Sequence, residues 1–338
     1  MQYEITETTE NFDPEILIPI WQDSLPDLDE RRIHWGYSQI PQGRAHLWYL
    51  SDADSRRPFG ACVVLPRHFY RHGRRIRGGI TADFAIKKQY RSLGPALGLQ
   101  KAIASSDEFD TLLAFPNDNS VAVQKRAGFE DLGHLTVYRK IFRSRDLLKR
   151  RYNPVLSSIV APFFDIAIRL KSILHGRRAR GDYSVVDSLD ERFDEFWGRV
   201  RARFGFIGER STDYLRWRFT NHPYKSYRFF ALQERDSSRV VAYLAYYTRD
   251  NIAYIDDFLF EDPEVALGAL IDAFGRHCRK AGLAAMSVIM FESERYARLL
   301  RSQGFLAEAT DQKVLWSSGD AEPVEKTDVF LTMGDCDI

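Results

Sequence analysis

Gly79-Ile80-Thr81-Ala82-Asp83-Phe84-Ala85-Ile86 runs on to Gln89-Tyr90-Arg91-Ser92-Leu93-Gly94-Pro95-Ala96, and the reading of this junction decides the fold. Ile80–Ile86 has the length and apolar character of a buried strand, and Gly94-Pro95-Ala96 opens a helix. A second strand is expected over Thr111–Phe115. Asn117-Asp118-Asn119-Ser120 then starts a shorter helix that closes on Ala127-Gly128-Phe129. The turn between strand and helix has the chemistry of an anion cradle. Arg91 brings charge, Gly94 lets backbone approach closely, and Pro95 suits a first helical position, where an N–H has no partner. Free amides and the positive end of the helix then face whatever lies before the turn, and a diphosphate fits.

Outward from this unit, the chain contains itself twice. Trp35 matches Trp217 and Pro41 matches Pro223 at one offset. Asp83-Phe84 matches Asp257-Phe258, and Gly128-Phe129 matches Gly304-Phe305, at slightly shorter offsets. The shortening falls at the long hairpin Pro66–Gly78, whose counterpart is the short turn Thr248–Asn251. Such a change in a surface hairpin costs little. In the first copy, strands are expected at Tyr3–Thr6, Ala45–Leu50, Phe59–Leu65 and His134–Phe142, with a helix over Pro14–Asp23. The second copy repeats the order, with helices near Leu189–Phe204 and Glu264–Ala281 and closing strands at Lys313–Trp316 and Asp328–Thr332. Hairpins lead each copy and strands alternate with helices in its middle. The expected class is α/β (α+β), two tandem units each with a mixed, mostly antiparallel sheet flanked by helices. The units span 1–143 and 183–338, joined by a hinge over 144–182.

That hinge is basic, and Val155–Leu174 within it is apolar at near-helical spacing. A connecting helix packed between the units is one reading. An amphipathic segment resting on an anionic membrane surface, through 155–174, is the other. The bulk numbers suit a globular chain: 338 residues, 44% hydrophobic, 28% charged, net charge +1. A balance so near zero gives no general affinity for nucleic acid. Cys62, Cys278 and Cys336 lack metal-ligand spacing and read as reduced thiols of a cytoplasmic protein, with no metal expected. The first residues lack the basic-then-apolar order of a signal peptide.

Arg91-Ser92-Leu93-Gly94-Pro95-Ala96 fits Q/R-x-x-G-x-G/A, with a strand before it, a helix after it, and Asn119-Ser120 and Gly128-Phe129 further on. At these residues the chain resembles the GNAT superfamily of acyl-CoA-dependent N-acyltransferases. The resemblance implies acetyl-CoA as co-substrate and transfer of its acetyl group to a primary amine. It implies contacts to the pyrophosphate from Arg91, Ser92, Leu93, Gly94 and Ala96. The pantetheine arm would pair with Phe84-Ala85-Ile86 and meet Asn119. Asp83 stands where the family places an acid that takes the amine's proton. The alternative for Asp83 is an ion pair with Arg75 or Arg77 of the hairpin. The family's thiolate-protonating tyrosine is replaced by Gln124, leaving Tyr138 as a substitute.

The second copy has Glu261-Asp262-Pro263-Glu264 where the cradle should be, which would repel phosphate. It reads as a scaffolding or substrate-shaping partner, with Asp257 a candidate for holding a substrate amine. Tyr214–Pro223, around Trp217, and the closing Thr332-Met333-Gly334-Asp335 loosely resemble tandem GNAT-like proteins of bacterial polysaccharide biosynthesis. An amino sugar or glycan precursor is the acceptor this implies, with Trp217 against a sugar face. The rival functions are a catalytically silent CoA-binding or scaffolding module, and an aminoacyl transferase of peptidoglycan precursor synthesis.

Overall fold

The computed structural model describes residues 2–143, 182–186, 188–263, 265–317 and 324–337. The expected linker helix and membrane-contact segment, 155–174, lie outside the described residues. Strand β1 (Tyr3–Thr8) and helix α1 (Pro14–Trp21) lead the chain. Asp13 caps α1 by accepting from the Glu15 amide, and Pro14 sits in its first turn. One helical turn, Glu30–Ile33, widens into a π-helical turn, His34–Ser38. Next come β2 (His46–Asp52), β3 (Pro58–Arg71), β4 (Arg74–Ile86), α2 (Leu93–Ala104), β5 (Thr111–Ala114), α3 (Asp118–Arg126) and β6 (Glu130–Ile141). β3 and β4 meet at His72-Gly73, both at positive φ (47° and 81°), which fits a two-residue hairpin turn.

The second half runs β7 (Asp182–Val186), α4 (Glu191–Val200), β8 (Phe206–Gly208) and a helical stretch from Thr212 to Thr220. It continues with β9 (Arg228–Gln233), β10 (Val240–Arg249), β11 (Ile252–Phe260), α5 (Ala266–Lys280), β12 (Ala285–Phe291), α6 (Glu294–Ser302), β13 (Leu306–Ser317) and β14 (Val329–Phe330). α5 turns Leu267, Leu270, Ile271, Phe274 and Cys278 into the core. Its polar residues gather at the other face and in its last turn, as an amphipathic helix on a sheet requires.

The described strands join one sheet, in the order β1-β2-β3-β4-β5-β13-β6-β12-β11-β10-β9-β7, with β8 pairing β3 and β14 pairing β8. The sheet is mostly antiparallel, with parallel pairs at β4–β5, β11–β12 and β8–β14. Its centre is interleaved. β13, from the second half, lies between β5 and β6 of the first. β6, from the first half, lies between β13 and β12 of the second. Each half therefore gives its long closing strand to the other, and backbone ladders hold the halves together.

Two large hydrophobic clusters follow the halves. One gathers Phe196, Tyr243, Leu270 and Phe274, and the other Trp21, Trp35, Tyr37 and Leu47. A smaller one lies between the first sheet and α2, around Trp48, Leu99 and Ile103.

Candidate active site

β4 and β5 run parallel only from Gly78–Thr81 against Thr111–Ala114, and no pairing joins them beyond. The strands thus open into a fork. On its other edge β4 stays paired to β3, with an irregularity opposite Cys62 where Ala61 meets Ala85 but Val63 meets Ala82. Asp83 sits in that bulge at φ +52°, a left-handed conformation that costs a non-glycine residue some strain. The extra residue turns Asp83 onto the same face as Ala82 and Ala85, toward α1 and Tyr37. Thr81 and Ile86 face α2 and α3.

The mouth of the fork lies at the start of α2. The helix begins at Leu93, so Pro95 occupies its third position, two residues further in than the sequence suggested. Ser92 makes no side-chain cap, and the Leu93 and Gly94 amides have no carbonyl to bond within the helix. The Ala96 amide is already bonded to the Ser92 carbonyl at 3.4 Å, which removes it from the expected set of donors. Leu93 is 49% exposed, and a Cβ placed on Gly94 would meet nothing within 4 Å. Arg91 is braced across this mouth: its Nε donates to the Ile86 carbonyl (2.9 Å) and its Nη2 to Ser24 Oγ (2.8 Å). Asn119 is exposed in the first turn of α3, which Asn117 caps.

Asp83 is not paired with the hairpin arginines. Arg32 donates from Nε and Nη2 to its carboxylate (3.1, 3.0 and 2.9 Å), and Tyr37 adds its hydroxyl at 2.7 Å. The side chains are 1% and 7% exposed. Burial and the adjacent carboxylate push the Tyr37 hydroxyl's pKa well up, so it stays a donor. Asp83 is therefore committed to an ion pair inside the fold. Arg75 and Arg77 lie at the far end of β4, where Arg77 pairs with Asp110 at 2.9 Å.

Four further residues weighed in the sequence are used inside the fold. Tyr138 is wholly buried in the second half's core, with its hydroxyl unpartnered. β13 and β5 separate its strand from the fork, so it cannot hand a proton to a thiolate there. Gln124, at the family's tyrosine position, is buried with Nε2 3.5 Å from Thr81 Oγ1. Trp217 is stacked on Trp35 with ring centres 5.0 Å apart, which hides the plane a sugar would need. Asp257 accepts from Arg210, Tyr243 and Thr332 and is fully buried, closed to a substrate amine.

The second half has the same fork, and the chain itself fills it. β11 and β12 separate after Ile255–Val288. Beyond that point Thr332 pairs with Met290, and the Phe291 amide donates to the Leu331 carbonyl at 2.9 Å. Asp335 fixes this segment. It closes a capping box with Thr332 and bonds Arg210 and Arg67, all fully or almost fully buried. Thr332–Asp335, read from sequence as a mark of polysaccharide enzymes, is thus the clasp of this plug.

The plug delivers a group that the sequence did not single out. Asp337 is half-buried beyond it, among the charges of Asp83, Arg32 and Arg218. Burial and then Asp83 raise its carboxyl pKa to about 7, against the pull of both arginines. His222, nearby, is held down to about 3 by burial and by Arg218, Lys225 and Arg32. Its Nδ1 accepts from the Tyr224 and Lys225 amides (3.1 and 3.2 Å), so Nε2 carries the proton. Asp256 is engaged by Lys225 (3.2 Å) and Tyr227 (2.5 Å). Among the described residues no cluster of three or more metal-ligand side chains occurs, and no helix is long and apolar enough to cross a membrane.

The sequence matches no protein-family model and no curated protein. Solved structures do match in fold. A probable N-acyltransferase from Enterococcus faecalis superposes with a TM-score of 0.68 at 12% identity, over 94% of this chain and 74% of its own. A GCN5-related N-acetyltransferase from Anabaena variabilis gives 0.64 at 13%, over 93% and 72%. Saccharomyces cerevisiae N-myristoyltransferase with bound myristoyl-CoA gives 0.54 at 11%, over 93% and 82%. The fold is that of the GCN5-related N-acetyltransferases, built twice in one chain.

Proposed function

We propose that the chain is an acyl-CoA-dependent N-acyltransferase with one working site, in the fork between β4 and β5. The observation that carries this is the contrast between the two forks. One is filled by the chain's own Leu331–Thr332. The other opens beside an uncapped helix start at Leu93-Gly94. The Leu93 and Gly94 amides, with Arg91 beside them, suit a diphosphate, and the edge of Phe84-Ala85-Ile86 turned away from β3, where Arg91 already takes the Ile86 carbonyl, suits the pantetheine arm. The acyl carbon then lies toward the α1 face, where the bulge at Asp83 frees backbone from the ladder to polarise its carbonyl. The amine nitrogen bonds that carbon, the carbon–sulfur bond breaks, and the thiolate leaves with CoA.

Asp337 takes the proton shed by the amine. A carboxylate whose pKa lies near 7 is matched to that task, whereas Asp83 spends its charge on Arg32. Acetyl is the group the sequence motif implies, and a primary amine is the acceptor. An amino sugar would have to bind without the face of Trp217, whose ring is stacked on Trp35. Free thiol release from acetyl-CoA over an amine panel tests the proposal. Release with the native chain, and its loss in Asp337→Asn, is expected. Acetyl-CoA binding without release on any amine would instead favour a silent CoA-binding module, the reading that the buried Gln124 supports.

A further inference from the structure

We propose that the acceptor carries a carboxylate as well as an amine, and that Arg218, assisted by Arg32, holds it. This rests on the acyl-transfer reading above and names its substrate class. Arg218 is 5% exposed. Its Nη2 donates to the carbonyls of Met333 (2.6 Å) and Cys336 (3.3 Å), while Nε and Nη1 are buried with no acceptor among the described residues. Arg32, committed to Asp83 through Nε and Nη2, also leaves a buried Nη1 without one. Arg32 lies in the turn just before Trp35 and Arg218 follows Trp217, and the two indoles stack 5.0 Å apart, so the two arginine-bearing turns adjoin. Arg218 Nη2 reaches the carbonyl of Cys336, next to the partly buried Asp337.

The charges around these turns are unequal in a telling way. Arg32 is matched by Asp83, and Asp256 by Lys225. Among the described residues Arg218 donates only to carbonyl oxygens. A buried guanidinium with unmet donors costs about 1–3 kcal/mol per unsatisfied group, and an ordered water or an anion relieves it. An anion is the ligand that meets them. Neutral His222 adds a donor and no positive charge of its own. Asp337 supplies the complement for an amine. An amino acid would place its ammonium at Asp337 and its carboxylate at Arg218, so every charge finds a partner. A plain amine or amino sugar would leave Arg218 as it stands.

The test uses the full chain and paired probes: N-acetyl amino acids and their carboxamides, compared at matched concentration by thermal shift. Acids are expected to raise the melting temperature and amides to leave it unchanged. Arg218→Gln should lose the response to acids while keeping the response to acetyl-CoA, and Arg218→Lys should keep part of it. In turnover, amino acids should exceed their amides by on the order of 100-fold in kcat/KM, since the amide leaves buried donors unpaired. If acids and amides shift the native chain alike, or neither does, the proposal is overturned. A folded Arg218→Gln that still responds to acids overturns it too. A native chain that responds to acids but not to acetyl-CoA would keep this subsite and remove the acyl-transfer reading instead.

Discussion

Trp35 and Trp217 donate their indole N–H groups to each other's backbone carbonyls, at 2.9 and 3.0 Å, with their rings stacked 5.0 Å apart. These are the same two residues that betray the repeat in the sequence. They occupy equivalent places in the two halves and meet each other, so they mark the point about which the halves are related. Replacing either by Phe removes one donor and strands a buried carbonyl. A loss of about 1–3 kcal/mol is expected for each, read by urea unfolding. The double variant should depart from additivity by about 0.5 kcal/mol or more, as contacting residues do.

The ion pair of Asp83 with Arg32 sets a trap for mutagenesis. Asp83→Asn leaves a guanidinium buried without its charge partner, and about 3–5 kcal/mol of stability should go with it. A fall in activity in this variant would then track the folded fraction. Scaling turnover to folded protein, measured by circular dichroism, is expected to restore most of the rate. A rate lost fully in a variant with native stability would return Asp83 to the chemistry.

Asp335 holds the plug in the second fork and gives stability a dependence on acid. Burial alone would raise its pKa, but Arg210 and Arg67 hold the carboxyl below its ordinary range. A carboxyl depressed in the folded state contributes fully above its unfolded value of about 3.9, and that contribution disappears as pH falls through the folded value. Glu209 behaves alike. Burial opposes it, yet His68, Ser211, Arg67 and Gln42 bring it to about 2. The part of the urea midpoint owed to these two carboxyls should be constant down to about pH 4 and fall steeply toward pH 2. Asp335→Ala should lower the plateau by about 3–5 kcal/mol.

Asp337 works in the opposite sense. Its carboxyl is raised to about 7 in the folded chain, above an unfolded value of about 3.9. Ionising it costs the fold, so between these values the native state loses stability as pH rises. Asp337→Asn should therefore be more stable than the native chain at pH 8 and nearly equal to it at pH 3.5. For the reaction the sign reverses, because the ionised form accepts the proton. kcat/KM should climb through pH 7 in the native chain, and in Asp337→Asn only the amine's own titration should remain.

Much of this was legible in the residues, and the limits have physical causes. The strand-to-helix junction announced itself because Gly94, Pro95 and the apolar run before them are local signals, carried within one turn. The duplication was visible through Trp35 and Trp217. What each tryptophan touches was not visible, since a partner 182 residues away leaves no local trace. The same holds for the exchange of β6 and β13. A strand's pattern shows which face it buries but not which neighbour it pairs with. Asp83 misled because an acid on a strand looks alike whether free or clamped, and its clamp, Arg32, lies 51 residues earlier. Thr332–Asp335 was noticed as a motif, but its work of filling the second fork, and of bringing Asp337 to the first, depends on where the chain ends up in space.

The central claim is that acyl-CoA binds at the start of α2, and Gly94→Glu tests it most directly. The position has open space where a side chain would go, so the variant should fold with an unchanged melting temperature. Acetyl-CoA at about 100 times its Kd should stabilise the native chain by about 2.7 kcal/mol, seen as a clear rise in melting temperature. In Gly94→Glu that rise should vanish, because a carboxylate would stand where the diphosphate sits. A native chain indifferent to acetyl-CoA, or a Gly94→Glu chain that still responds in full, would contradict the account.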